Sequence, residues 1–178
     1  YSIWKQGMFN WVSDRFYPKE KANELYGAVV TFARAPLFYD QMGVADTPEG
    51  RYEILVLHLF LIMERLKFMG GEGDRLSQEL IDKFVIDMDD NMREMGVGDL
   101  SVPRKVKKAA AAFYERVEVY RNAINGPDIE NLISALQQFV PTEKEKNLSA
   151  NALALHMISV NKNLRSQPLN NLVSILMR

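Results

Sequence analysis

The chain has 178 residues, 47% of them hydrophobic and 25% charged, with a formal net charge of −1 and no cysteine. That length is enough for one domain with a sizeable core. The near-zero charge gives no bulk attraction to nucleic acid or to an anionic membrane, and the missing cysteine excludes disulfides, thiolate catalysis and cysteine-ligated metals.

The first residues carry no signal-peptide pattern. The chain starts at Tyr1 rather than at methionine, so the question of a removed leader stays open. Residues 1–17 read as an amphipathic helix, with Ile3, Trp4, Met8, Phe9, Trp11, Val12 and Phe16 on a broad apolar face and few charges. Two tryptophans and two phenylalanines beside Lys5 and Arg15 also resemble an interfacial helix, which makes a membrane-surface adaptor one alternative reading. Packing of this helix on the domain or on a second copy is the competing one. Pro18 suits a first helical position. The helix it opens runs to about Ala35 with Ala22, Leu25, Tyr26, Val29, Phe32 and Ala33 on its buried stripe, and Ala35-Pro36 stops it. Leu37 to Met42 is a short apolar turn or helix that Gly43 ends.

Asp46 or Thr47, before Pro48, caps a third long helix that runs to Met69. From Ile54 to Met63 every residue except His58 is apolar. A helix that is apolar all round is either core or membrane. A span needs about 20 such residues, whereas this run rises only about 15 Å, and Arg51, Glu53, Glu64 and Arg65 bracket it closely. It is therefore expected to be the buried centre of the fold. Gly70 to Gly73 reads as a flexible turn. A fourth helix follows from Asp74 to Met95, with Leu80 or Ile81, Phe84 or Val85, Met88, Met92 and Met95 on one stripe. Gly96-Val97-Gly98 predicts a left-handed cap. Pro103 opens a fifth helix whose apolar residues Val106, Ala110, Phe113, Val117, Tyr120 and Ile124 repeat at four and three, until Asn125-Gly126-Pro127 breaks it. Asp128 caps a sixth helix to about Val140. Thr142 to Lys146 is a charged linker, Leu148 to Leu164 a seventh helix, and Pro168 starts a short apolar tail. No segment alternates as a strand. The expected fold is all-α, a single domain of about seven helices packed around a central apolar helix at about 48–69.

The corner between the fourth and fifth helices breaks a local rule. Asp87, Asp89, Asp90 and Glu94 crowd a helix C-terminus, where the macrodipole favours cations; Arg104, Lys105, Lys107 and Lys108 crowd the next N-terminus, where it favours anions. Either the acids offset the bases across the short loop, with Asp89 and Arg93 pairing four residues apart, or the cluster serves a partner. Arg104, Lys105 and Lys108 share one edge by spacing.

Catalytic and metal motifs fail. His58 and His156 are the only histidines, and nothing in the sequence pairs them. There is no E-x-x-H or H-E-x-x-H. Asp87-x-Asp89-x-Asn91 opens like a calcium loop, but Met92 and Gly98 stand where glycine and glutamate belong. Gly70 to Gly73 lacks the Lys-Ser/Thr of a phosphate loop. A satisfied core histidine is the plain reading of His58, and a small-molecule or haem-binding helical domain is the alternative it motivates. Nine methionines, several on helix stripes, furnish either core packing or an adaptable apolar groove for a hydrophobic client.

Asp87-Met-Asp89, Arg93-Glu94-Met95-Gly96-Val97-Gly98-Asp99, Val102-Pro103-Arg104-Lys105-Val106-Lys107-Lys108, Phe113-Tyr114-Glu115-Arg116 and Tyr120 resemble the signature of the ubiquinol–cytochrome c chaperone family. Ala33-Arg34-Ala35-Pro36, Phe38-Tyr39, Met42-Gly43-Val44, Asp46-Thr47 and Gly50-Arg51-Tyr52-Glu53 resemble its bacterial branch, and His58 and Arg65 sit in its central helix. The similarity runs from Leu25 to Leu136 and more weakly to the end, so residues 18–178 form the chaperone-like domain and 1–17 lie outside it. Glu115 departs from the glycine usual in the family, which touches either a close helix contact or a binding surface. The resemblance implies an all-helical assembly factor rather than an enzyme, with no cofactor, that helps newly made cytochrome b enter the ubiquinol–cytochrome c reductase. It implies a hydrophobic membrane-protein client, a small helper protein, the ribosome exit region and the membrane surface as partners, and no DNA. The implied location is cytoplasmic, peripheral to the bacterial inner membrane, or the matrix side of the mitochondrial inner membrane. The expected partner-binding residues are Asp87, Asp89, Arg93, Glu94, Asp99, Arg104, Lys105 and Lys108, with Arg51 and Tyr52.

Overall fold

Helix α2 (Pro48–Leu66) runs through the centre of the structure, a computed structural model that describes residues 19–143 and 149–176. The Thr47 hydroxyl oxygen accepts a hydrogen bond from the Gly50 amide at 3.1 Å, and Pro48 fills the first position, where an N–H has no helical partner. Every residue from Val56 to Ile62 is 0% exposed. The apolar run is therefore core, and among the described residues no helix is long and apolar enough to cross a membrane.

Three polar side chains interrupt this buried helix, and each has a partner from elsewhere in the chain. Glu53 accepts from Arg116 Nε at 2.8 Å and from Nη2 at 2.6 Å. Glu64 accepts from Arg121 at 2.8 Å and pairs with Lys67 at 3.3 Å. The third, His58, meets His156. Burial raises the Glu53 carboxyl against the pull of Arg116, but both its oxygens accept from one guanidinium, the geometry of a carboxylate. Arg65, also on α2, donates to the carbonyls of Leu164 at 2.8 Å and Gln167 at 2.9 Å, placing a cation on the C-terminus of another helix.

The other elements surround α2. Helix α1 (residues 19–33) buries Leu25, Val29 and Ala33. A single π-helical turn at Leu37–Gln41 follows, and it buries Phe38 and Tyr39. A short 3-10 turn, Lys67–Met69, ends at Gly70 with φ 63°. Helices α3 (Gly71–Glu94), α4 (Val102–Asn125), α5 (Ile129–Phe139) and α6 (Ala150–Arg165) are followed by a 3-10 turn at Leu169–Asn171 and the short α7 (Leu172–Leu176). The described residues contain no strand beyond one isolated bridge, Val44 to Thr142. Beside it the Ala45 amide donates to the Pro141 carbonyl at 2.9 Å, and the Ser149 amide donates to the Met42 carbonyl at 2.9 Å. The all-α single domain expected from the sequence is the fold observed. The predicted helix at 1–17, Pro18 and most of the charged linker lie outside the described residues.

The glycine run after α2 differs from the sequence expectation. Only Gly70 makes the turn, and α3 begins at Gly71 rather than at Asp74. Gly73 is there for closeness rather than freedom: a Cβ on it would lie 1.9 Å from the Leu66 carbonyl oxygen. Gly50 meets the Ala45 carbonyl in the same way, also at 1.9 Å. Backbone, unlike a side-chain tip, cannot swing aside. Gly73→Ala and Gly50→Ala are therefore each expected to lower stability by about 1–3 kcal/mol or more. Gly27→Ala, in an exposed helical position with open space around it, is expected to raise stability by about 0.5–1 kcal/mol. Urea unfolding of the three variants checks both signs.

Candidate partner-binding corner and groove

At the end of α3 the Gly96 amide donates to the Arg93 carbonyl and the Val97 amide to the Met92 carbonyl, both at 3.0 Å, with Gly96 at φ 82°. This is the Schellman arrangement, and it is the left-handed cap the sequence predicted. It turns the chain into the loop that carries Asp99. Arg93 then holds two acids at once, Asp89 through Nε and Asp99 through Nη1, each at 2.6 Å. Asp87 accepts from the Tyr26 hydroxyl at 2.7 Å; burial and this carboxylate both push the Tyr26 hydroxyl up.

The bases of α4 take no part in this. Among the described residues Arg104, Lys105, Lys107 and Lys108 make no ion pair, and neither do Asp90 and Glu94. The acids that are neutralised are neutralised by Arg93, not across the loop. The structure brings Asp87, Asp89, Arg93, Glu94 and Asp99 together at one helix end, with Arg104, Lys105 and Lys108 on the exposed side of the next helix. Arg51 and Tyr52 lie apart from that charge cluster. Arg51 pairs with Asp46 at 2.7 Å on the surface. The Tyr52 hydroxyl, pushed up to about 12 by burial, donates to the Ala109 carbonyl at 3.0 Å and so joins α2 to α4.

What connects the two sets is a groove of about 390 Å³. Val30 and Ala33 of α1, with Arg34 just after it, form one wall, and Arg51, Tyr52 and Leu55 of α2 another. The third is α3, with Phe84, Asp87, Met88, Asn91, Met92 and Met95, and Ala109 of α4 closes it. Phe84 is held from below by Phe113, ring centroids 5.2 Å apart. Met88, Met92 and Met95, the last at the C-cap of α3, recur at four and three and all line the same groove. The methionine stripe was legible in the sequence. The part played by α1 was not, because a stripe of small and branched residues looks the same against core as against a groove. Glu115, the departure from the family pattern, is a surface residue with its side chain 60% exposed, 3.9 Å from Arg116 Nη1.

The two histidines correct the sequence reading that nothing pairs them. His58 Nε2 and His156 Nε2 are 2.9 Å apart. His58 Nδ1 lies 2.7 Å from the Ile54 carbonyl, which only accepts. Nδ1 of His58 therefore carries the proton, its Nε2 accepts, and His156 donates from Nε2. Phe32 and Phe38 enclose both rings, at 4.9 and 5.1 Å from His58 and 5.8 and 5.2 Å from His156. With both nitrogens engaged and the ring 0% exposed, His58 has no lone pair to offer a haem iron.

Burial, with the neighbouring imidazole second, lowers His58 to about 3, and burial lowers His156 in the same direction. Unfolded, each titrates near 6.5. Between those values the unfolded chain binds protons that the folded chain refuses, so the stability is full above about pH 6.5 and falls on acidification. The slope from His58 alone is about 1.4 kcal/mol per pH unit. Urea titrations at pH 6, 5 and 4 are expected to show this extra slope in the native protein and not in a His58→Gln, His156→Gln variant; equal slopes would assign the acid sensitivity elsewhere.

Comparison with known proteins bears on the whole chain. No curated protein matches. The crystal structure of the Cbp3 homolog from Brucella abortus aligns with a TM-score of 0.80 and 33% sequence identity, covering 94% of this chain and 93% of that one. The family model described as ubiquinol–cytochrome C chaperone matches residues 40–175, which include α2, the corner and the groove walls from α2, α3 and α4, but not the wall at Val30–Arg34. The chain belongs to the ubiquinol–cytochrome c chaperone family.

Proposed function

We propose that this ubiquinol–cytochrome c reductase assembly chaperone holds an apolar helical segment of a newly made membrane subunit, cytochrome b by family resemblance, in the groove between α1, α2, α3 and α4. The observation that carries the reading is the methionine row: Met88, Met92 and Met95 line the groove, from Met88, 7% exposed at its floor, to Met95, 63% exposed. Methionine has an unbranched, polarisable side chain that repacks around different shapes. An apolar helix laid in such a groove is recognised by surface rather than by a fixed set of hydrogen bonds. The bases Arg104, Lys105, Lys107 and Lys108, which make no ion pair among the described residues, and the acids at the end of α3 form a second surface for a partner. The protein works as a binding factor without chemistry of its own; the engagement of both histidines with each other supports that. Its place is at the cytoplasmic face of the inner membrane, where a client leaves the ribosome, with a small helper protein as a further partner.

Deleting the gene is expected to lower assembled reductase while its transcripts persist. Re-expression of a Met92→Asp, Met95→Asp variant is expected to leave assembly low and to abolish co-purification of cytochrome b, with the melting temperature nearly unchanged because neither side chain is fully buried. Normal assembly with this variant would overturn the groove as the client site.

A further inference from the structure

Eight large hydrophobic residues are exposed among the described residues, and four of them lie on the α3–α4 hairpin: Ile86 at 55%, Met95 at 63%, Leu100 at 100% and Tyr114 at 53%. Around them, residues 87–108 contain five acids and five bases, so the corner has no net charge. It therefore lacks the monopole that draws a surface to nucleic acid or to an anionic bilayer. What it has is separation. Among the described residues Asp90 and Glu94 make no ion pair at the end of one helix, and Arg104, Lys105, Lys107 and Lys108 make none at the start of the next. A partner for this face must carry apolar side chains between a negative and a positive patch in the reverse order. A second copy of the same face, turned about a two-fold axis, has that order by construction.

We infer that the α3–α4 hairpin is a self-pairing surface, on which two copies of the chain meet with the acids of each against the bases of the other and with Leu100 and Met95 covered between them. This rests on the reading of the corner as a partner surface, and the surface shares Met95 with the client groove. Each charge contact occurs twice in a two-fold pair, so a reversal acts twice.

The test is sedimentation over a concentration series with the native chain and two variants. Asp90→Lys with Glu94→Lys gives residues 87–108 a net charge of +4; Arg104→Glu with Lys108→Glu gives them −4. The native chain is expected to dimerise. Each variant alone is expected to dimerise at least tenfold more weakly, with an unchanged helical circular dichroism spectrum. An equimolar mixture of the two variants is expected to recover the dimer, because both of its contacts again join opposite charges. A native chain that stays monomeric, or a mixture that stays monomeric, overturns the inference. In either case the acidic variant is then tested for co-purification of cellular partners: lost capture leaves the corner as a surface for a different protein, and full capture removes the corner reading as well.

Discussion

A buried helix face leaves no room for an unpaired polar group, and α2 carries three buried polar side chains, Glu53, His58 and Glu64, each of which has a partner. Removing one partner of a buried ion pair costs about 3–5 kcal/mol, because the charge left behind has no water to turn to. Glu53, His58 and Glu64 therefore dictate what packs on α2 and in which register. Arg116 and Arg121 bring α4 to it, the first also lying 4.5 Å from the centre of the Phe139 ring and so engaging α5. His156 brings α6, and Arg65 fastens the end of that helix through its last carbonyls. Apolar burial supplies the bulk of the stability, yet apolar contacts alone leave the helices free to slide. The polar exceptions remove that freedom.

The groove inherits its shape from this arrangement. Tyr52 and Leu55 come from the first turns of α2, and Ala109 comes from α4, whose position the Glu53–Arg116 pair sets. α3 is bound differently: the Tyr26–Asp87 hydrogen bond ties it to α1, and ring packing of Phe84 on Phe113 ties it to α4. On the proposed reading, a packed floor beneath a row of adaptable methionines lets the protein accept an unassembled apolar segment without committing it to one shape. The corner at the end of α3 follows from the same plan. With α4 held through its buried face, its first turns present exposed bases to the outside.

Much of the fold was legible because its signals are local. Thr47 with Pro48 starts α2, Gly96 ends α3, and the uninterrupted apolar run marks the centre. The corner residues stood out because they violate the helix dipole. What stayed hidden depends on distance along the chain. The histidines meet across 98 residues and Glu53 meets Arg116 across 63, and no periodicity encodes such pairings. Gly73 was hidden for another reason: a glycine kept for a close carbonyl has the same letter as one kept for a turn. Resemblance located the corner but not the groove beside it, whose wall on α1 is made of residues that look like ordinary core.

The claim on which the account turns is that the polar exceptions of α2 set the register of the helices around it. A double-mutant cycle on Glu53→Leu and Arg116→Met measures this most directly. Each single substitution is expected to cost about 3–5 kcal/mol, and the double to cost much less than their sum, with a coupling energy of about 2 kcal/mol or more. Single effects below about 1 kcal/mol that simply add would mean that apolar packing alone positions α4, and would contradict the account.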